Sequence, residues 1–322
     1  MENTNTVVNS GVEKKKVLTG AKKKLIFFCL MAAPLILQVC VFYVYVNISN
    51  ISLAFSKYEM VPGKGFISSF SGFENFAYVL ETLFSPDNIG MFGVSLIMYA
   101  ATLLIAMPVA IIFSFYVYKK YFLSEFFRIV LFFPQIISAV IMTSLYRYMV
   151  VDVYILITGA DSGLLSPVRD ATTLVTTMIV YNLWMGFGAN ILLASGAMSG
   201  INESIVESCH LDGCSVMKEF FYITLPSIYP TIVTFVVIDL STILSNQMNL
   251  YTLFKQNAPE GMRSVGYYLY VQTVHSSGLT AENGLYMAYP QISAMGVLIT
   301  MVVLPLTLTV RKLMTKFGPS DN

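Results

Sequence analysis

Two groups of polar residues stand in otherwise apolar surroundings: Asn182, Trp184 and Asn190 in one run, and Asp239, Thr242, Asn246 and Asn249 in another. A carboxylate near mid-membrane costs about 2.5–3.5 kcal/mol on insertion scales, so Asp239 is expected to face a bundle interior or a cavity. On a continuous helix, Thr242, Asn246 and Asn249 follow it at i+3, i+7 and i+10 and share its face. Amide and carboxylate side chains are planar and hydrogen-bond hydroxyl groups, and an indole covers the apolar side of a sugar ring. The chemistry these residues suit is non-covalent capture of a polyhydroxylated molecule. The same groups also join helices, each such bond contributing about 0.6 kcal/mol, so packing between helices or subunits stands beside ligand contact as a reading. Gly186 and Gly188 read as sites of close helix approach.

A second cluster interrupts the apolar runs at residues 207–230, "ESCHLDGCSVMKEFFYITLPSIYP". Cys209, His210, Asp212 and Cys214 lack the paired spacings of a structural zinc site. They read as part of a packed helix, and the four cysteines (Cys29, Cys40, Cys209, Cys214) show no disulfide framework. Ser204 with Glu207 three residues on fits a capping box. Ile201, Ile205, Val206 and Cys209 give that helix an apolar face. It is expected to stop near Asp212–Gly213, where glycine takes the left-handed conformation at little cost. Ser215 can cap a second short helix with Val216, Phe220 and Ile223 on one face. Leu225–Pro226 is expected to turn the chain, with Pro226 in the first turn of the next long helix. This is an elbow of roughly 30 residues, where about 2–8 suffice to join packed helices. An exposed amphipathic helix of this kind suits a groove on a partner.

The elements that must position these groups are long apolar helices. The chain has 322 residues, is 56% hydrophobic and carries only 11% charged residues, with a mean hydropathy of +0.70. Soluble domains carry about 25% charge, so the composition excludes an ordinary soluble enzyme, and the net charge of +1 argues against nucleic acid as a partner. Apolar runs at 25–46, 91–118, 129–150, 172–196, 227–248 and 288–310 are each long enough to cross a bilayer. The fold class is therefore all-α, a polytopic membrane protein with six transmembrane helices and a protruding elbow. The first run is too long for a signal-peptide core and reads as a retained anchor. Pro34, Pro108, Pro134, Pro230 and Pro305 fall inside these runs, which local helix distortion can accommodate. Arg147 lies near the end of the third run, where it can snorkel.

With the N-terminus inside, 13 Lys and Arg residues fall on the inner connections and 6 on the outer ones, the asymmetry the positive-inside rule requires. Both termini and the elbow are then cytoplasmic. Residues 1–24 form an N-terminal tail whose first 12 residues are polar and expected to be disordered. Residues 25–310 form the six-span domain with the elbow at 197–226, and 311–322 a C-terminal tail. The outer connections 47–90 and 249–287 have room for short surface helices. No GxxxxGK[ST] phosphate loop occurs, so the sequence offers no means of hydrolysing ATP.

The spacing Glu207–x5–Gly213–x9–Ile223–x–Leu225–Pro226 resembles the cytoplasmic EAA signature of bacterial ABC importer permeases. It departs at the two alanines, here Ser208 and Cys209, and again at Cys214; all three replacements are small. "GFENF" at 72–76 and "NLWMGFGANILLASGAMSGI", with Trp184 and Gly186, are similar to elements of the maltose-type and multiple-sugar-type branch. The resemblance implies a permease subunit of a carbohydrate importer, with an oligosaccharide as cargo, working by alternating access. It implies a bacterial cell membrane, a second permease subunit, ATPase subunits that use ATP and magnesium, and an extracellular solute-binding protein. The chain itself would bind no cofactor and perform no catalysis. Glu207, Ser208, Cys209, Asp212, Gly213, Ile223, Leu225 and Pro226 would form the coupling element that docks on the ATPase. A cargo of glycerol phosphate, peptide or amino acid stays open within the same class. An ATP-independent secondary transporter is the other alternative; it predicts inverted repeats or paired broken helices, which the sequence does not display.

Overall fold

A computed structural model describes residues 20–61, 65–276, 278 and 287–319. The expected disorder of the first 12 residues lies outside the described residues. The chain forms two units, residues 1–52 and 53–322. In the first, α1 (Gly20–Gln38) runs through a π-helical stretch, Val39–Tyr45, into α2 (Val46–Ala54). Residues Lys24–Ala54 form an apolar helix of 31 residues. Its large side chains, Phe28 and Phe42 among them, are exposed, as suits a helix surrounded by hydrocarbon.

The second unit opens with an antiparallel hairpin, β1 (Ser56–Val61) and β2 (Gly65–Phe70), in the register Ser56↔Phe70 and Val61↔Gly65. The composition of this connection suggests turns and short helices, and the hairpin is an addition to them. Helix α3 (Glu74–Leu83) follows a corner in which Gly72 has φ +60°. Asn75 of "GFENF" is buried, and its amide donates to the carbonyls of Ala54 and Ser56 at 2.9 Å and to Ser71 Oγ at 3.2 Å. The motif is thus a structural corner.

Helix α4 (Gly90–Ala101) continues through a π-helical stretch, Thr102–Ala106, into α5 (Met107–Tyr118). Pro108 stands just after that stretch. A proline removes one ladder bond and clashes with the carbonyl four residues back, and a π-type widening relieves both. The third expected run, 129–150, is not one helix. α6 (Ser124–Ile136) contains Pro134 and ends two residues after it. The backbone is extended at Ile137, and α7 (Ala139–Tyr148) leads through a π-helical stretch into α8 (Tyr154–Thr158), which Gly159 closes at φ +66°. The helix long and apolar enough to span is Ala139–Thr158. Arg147 therefore lies within a span, not at its end.

α9 (Ala171–Met198) is the long fourth span, capped by Asp170, whose carboxylate accepts from the Thr173 amide at 3.1 Å and the Thr173 hydroxyl at 2.7 Å. These two bonds, the hydroxyl's first, hold the exposed Asp170 carboxyl below its ordinary pKa. After the elbow helices α10 (Glu203–Leu211), α11 (Val216–Glu219) and α12 (Leu225–Ser227) comes α13 (Tyr229–Ser241). The helical path Val216–Ser227 bends by 63° into Tyr229–Ser241. The turn thus falls at Ile228, ahead of Pro230, and not at Leu225–Pro226 as the sequence suggested. Short helices α14 (Leu250–Phe254) and α15 (Val265–His275) precede α16 (Tyr289–Phe317), which carries helix through much of the expected C-terminal tail. Five helices among the described residues are long and apolar enough to span, and six when the bent pair counts as one.

The main core joins α4, α7, α9, α14 and α15 through Met98, Tyr146, Met178, Tyr181, Leu253 and Tyr267. Tyr146 donates to the Thr177 carbonyl, and the Thr143 and Tyr181 hydroxyls lie 2.7 Å apart. Ser114 Oγ donates to the Ile191 carbonyl at 3.2 Å, tying α5 to α9. Tyr229 donates to the Met314 carbonyl at 2.9 Å, tying α13 to α16.

Candidate functional site

The mid-bundle polar groups surround a cavity of about 350 Å³, within the roughly 300–1,000 Å³ range of small-molecule sites. Six of the seven expected residues line it: Asn182, Asn190, Asp239, Thr242, Asn246 and Asn249. They do not share one helix face as expected. α13 stops at Ser241, and Thr242 to Asn249 form a series of turns. Met248 and Asn249 both adopt left-handed backbone, at φ +55° and +58°. Asparagine tolerates that region, but methionine rarely enters it, so the turn needs outside support. Asn182 supplies it from α9: its amide donates to the Met248 carbonyl at 3.3 Å, and its Oδ1 accepts from Asn249 at 3.5 Å. Asn246 Oδ1 accepts from the Met248 amide at 2.9 Å. From the other side, Gly266 of α15 lies so close that an added Cβ would overlap the Ser245–Asn246 backbone.

Trp184 is not brought to this cavity. It packs with Tyr146, ring centroids 6.4 Å apart, and lines a separate apolar hollow with Ile105, Leu183 and Phe187. Two positions from Asn182 on a helix is about 200° around the axis, which explains the separation. The two glycines also differ. Gly188 faces the α6 backbone, where a Cβ would come 2.6 Å from Phe132 Cα, whereas Gly186 has open space and lines the cavity. Tyr99, Thr102 and Gln135, which were not among the expected residues, add to the wall. Gln135, a polar residue inside an apolar run, was the available signal; it donates to the Met185 carbonyl at 2.9 Å. The lining holds one carboxylate and neither Lys nor Arg.

The elbow is the second part of the site. α10 starts at Glu203, with Asn202 as the cap: its Oδ1 accepts from the Ser204 amide at 3.1 Å. Ser204 and Glu207 are not the capping pair. Ser208 Oγ donates to the Ser204 carbonyl at 2.8 Å. Helix α10 ends in a Schellman motif, with Gly213 N–H on the His210 carbonyl at 3.1 Å and Cys214 N–H on the Cys209 carbonyl at 2.9 Å. Gly213 has φ +74°, as the sequence reading anticipated for the stop. This motif brings its third-last and second-following residues together, which here are Cys209 and Cys214. They form a disulfide, with Cα atoms 5.2 Å apart, a pairing the sequence reading did not foresee. Ser215 caps α11, accepting from the Lys218 amide at 3.4 Å. A π-helical stretch, Phe220–Thr224, precedes Pro226 as its counterpart precedes Pro108. Ile223 joins Ser208, Cys209, Asp212 and Gly213 around a shallow concavity. Leu225 packs against the cluster of Phe115, Met198 and Ile228. Glu207 is exposed, and no residue of α10 is buried; Leu211 is 89% exposed and Met217 65%.

A helical bundle with several helices long and apolar enough to span a membrane, a polar cavity between them and an exposed elbow has the architecture of a membrane transport subunit. Residues 84–320 match the family described as binding-protein-dependent transport system inner membrane component, and the chain belongs to that family. It is 28% identical over 300 residues to the arabinooligosaccharides transport system permease protein AraP of Bacillus subtilis (strain 168), covering 89% of this chain and 88% of that one. Its fold is similar to that of a bacterial ABC transporter involved in the import of the acidic polysaccharide alginate, at TM-score 0.70 and 20% identity over 92% of this chain and 97% of the other. A bacterial alginate ABC transporter in complex with an alginate pentasaccharide-bound periplasmic protein gives TM-score 0.71 at 21% identity, with the same coverage. Family membership sets aside the ATP-independent alternative. The absence of broken helices could not have done so, because the structure contains them at Ile137 and Ile228.

Proposed function

We propose that this chain is the permease subunit of an ATP-driven carbohydrate importer in a bacterial cell membrane, with both termini and the elbow cytoplasmic. α10 docks on a partner ATPase, which binds ATP and magnesium. A second permease subunit completes the pathway, and an extracellular binding protein delivers the cargo. The observation that carries this is the elbow: α10 buries no residue of its own, yet ends in a well-formed Schellman turn with Leu211 exposed. A helix held rigidly while its apolar residues face outwards is a docking element.

The cargo is a neutral oligosaccharide. Amide groups on Asn182, Asn190, Asn246 and Asn249 suit sugar hydroxyls, and Asp239 without a neighbouring cation in the wall repels an acidic saccharide. This agrees in class with the arabinooligosaccharide permease and disfavours glycerol phosphate. Closure of the ATPase pair carries the elbow, and the spans exchange inward-open for outward-open access around the cavity.

Gly213→Leu tests the docking role. A side chain at φ +74° is strained even with open space around it. Uptake in the assembled transporter should fall about ten-fold or more, with ATPase stimulation falling in parallel. Wild-type uptake, together with no cross-link between Leu211→Cys and an ATPase chain, would sink the reading.

A further inference from the structure

Glu219 lies in α11, immediately after the elbow's turn, and its side chain is fully buried. Its Oε1 accepts from Lys119 Nζ at 2.8 Å. Its Oε2 makes no well-directed hydrogen bond among the described residues and lies 3.3 Å from His210 Nε2. Lys119 is the residue that closes α5, with its side chain 17% exposed, and His210 stands in the last turn of α10. One buried carboxylate therefore faces two elements at once, the elbow helix and the end of a transmembrane helix 100 residues earlier in the chain. Aromatic rings stand beside its lysine partner: the Lys119 ammonium lies 6.0 Å from the rings of Phe115 and Tyr118, and Phe115 of α5 packs with Phe220 at 5.0 Å.

Burying a carboxylate is costly, and well-packed apolar residues often hold two elements together at least as firmly as an ion pair. Stability alone does not account for Glu219. What a carboxylate adds is direction, because its two oxygens lie toward two different partners, Lys119 and His210.

We propose that Glu219 is a positioning residue for energy coupling: it locks α10 to the end of α5, so that displacement of the elbow moves that span instead of flexing the connecting turn. The inference rests on the reading of the elbow as the ATPase-docking element. It needs no change of protonation and no contact with cargo.

Glu219→Gln keeps the shape and one acceptor while removing the charge. In the fully assembled transporter in proteoliposomes, sugar delivered per ATP hydrolysed should fall about ten-fold, with the amount of assembled complex unchanged. The exchanged pair, Lys119→Glu with Glu219→Lys, should return that ratio to within about three-fold of wild type. The inference is overturned if Glu219→Gln keeps its transport-to-ATP ratio within about two-fold of wild type, or loses uptake only in proportion to lost assembly. If Glu219→Gln does not assemble, the exchanged pair decides: assembly with a restored ratio supports the lock, and assembly with an uncoupled ratio, or no assembly, overturns it. A cross-link from Leu211→Cys to the ATPase, formed alongside an unchanged ratio in Glu219→Gln, overturns this inference alone. Absence of the cross-link in the otherwise native chain would count against the docking reading itself.

Discussion

The cavity and the elbow solve opposite problems. Around the cavity, backbone is held by close approach and by one side chain: Gly188 lets α9 approach α6, Gly266 lets α15 approach the 245–246 turn, and the Asn182 amide pins the left-handed residues at 248–249. In the elbow, α10 is closed by its own Schellman bonds and buries nothing. Its ties to the bundle are the residues that flank it, Ile201 before it and Glu219 and Phe220 after it. A site that recognises cargo needs its groups fixed to fractions of an ångström. A part that transmits motion needs internal rigidity and few, directional ties. The contrast predicts that substitutions in the first region act on folding or on cargo affinity, and those in the second on coupling.

The largest effect should come from Gly188→Leu. Even a Cβ there overlaps the Leu131–Phe132 backbone, and the helix pair cannot separate without opening the bundle. Overpacking of this kind costs roughly 1–3 kcal/mol and sometimes more, so membrane-inserted protein and detergent-resistant assembly should both drop sharply. Normal yield and thermal stability for Gly188→Leu would break the claim that the cavity region is set by backbone approach. Gly186→Ala, at open space on the same helix, is the control and should assemble normally.

Next in size is Asn182→Ala. It removes the donor to the Met248 carbonyl and the acceptor for Asn249. Leaving such groups unpartnered costs about 1–3 kcal/mol. Half-saturating cargo concentration should therefore rise by roughly ten-fold, while cross-linking of Leu211→Cys to the ATPase stays unchanged. If affinity holds and coupling falls instead, the division between the two regions is wrong.

What could be read in the sequence follows the same division. The Gly213 turn and the Ser215 cap were legible because each is fixed by local chemistry: glycine at φ +74°, and a hydroxyl accepting from an amide three residues on. The end of α13 was not legible. Thr242 to Asn249 carry polar residues that compete with helix, but their turns are settled by Asn182, 66 residues away from Met248, and by Gly266. The spacing reading therefore gathered the right residues at the cavity for a wrong reason. Trp184 was misplaced where helix geometry could have placed it, since Asn182, Gly186 and Asn190 recur every four residues and Trp184 falls opposite. Glu219 gave no signal, because its meaning depends on Lys119. Pro134 was noted without its consequence, a broken helix and a shifted span.

The smallest effect should come from the cysteine pair. Cys209 and Cys214 meet because the Schellman turn places them together, and the turn's two defining bonds are made by backbone. On the proposed cytoplasmic side thiols are kept mostly reduced, and an elbow placed there does not depend on the bond. Cys209→Ala with Cys214→Ala should keep uptake within about two-fold of wild type, since both side chains are replaced by the small residue that the related EAA signature carries there. A much larger loss in the double variant, matched in the native chain by reductant and reversed there by oxidant, would mean that the disulfide itself holds the elbow. The elbow's rigidity would then come from a covalent tie and not from its backbone bonds, and the contrast with the cavity would have to be redrawn around that tie.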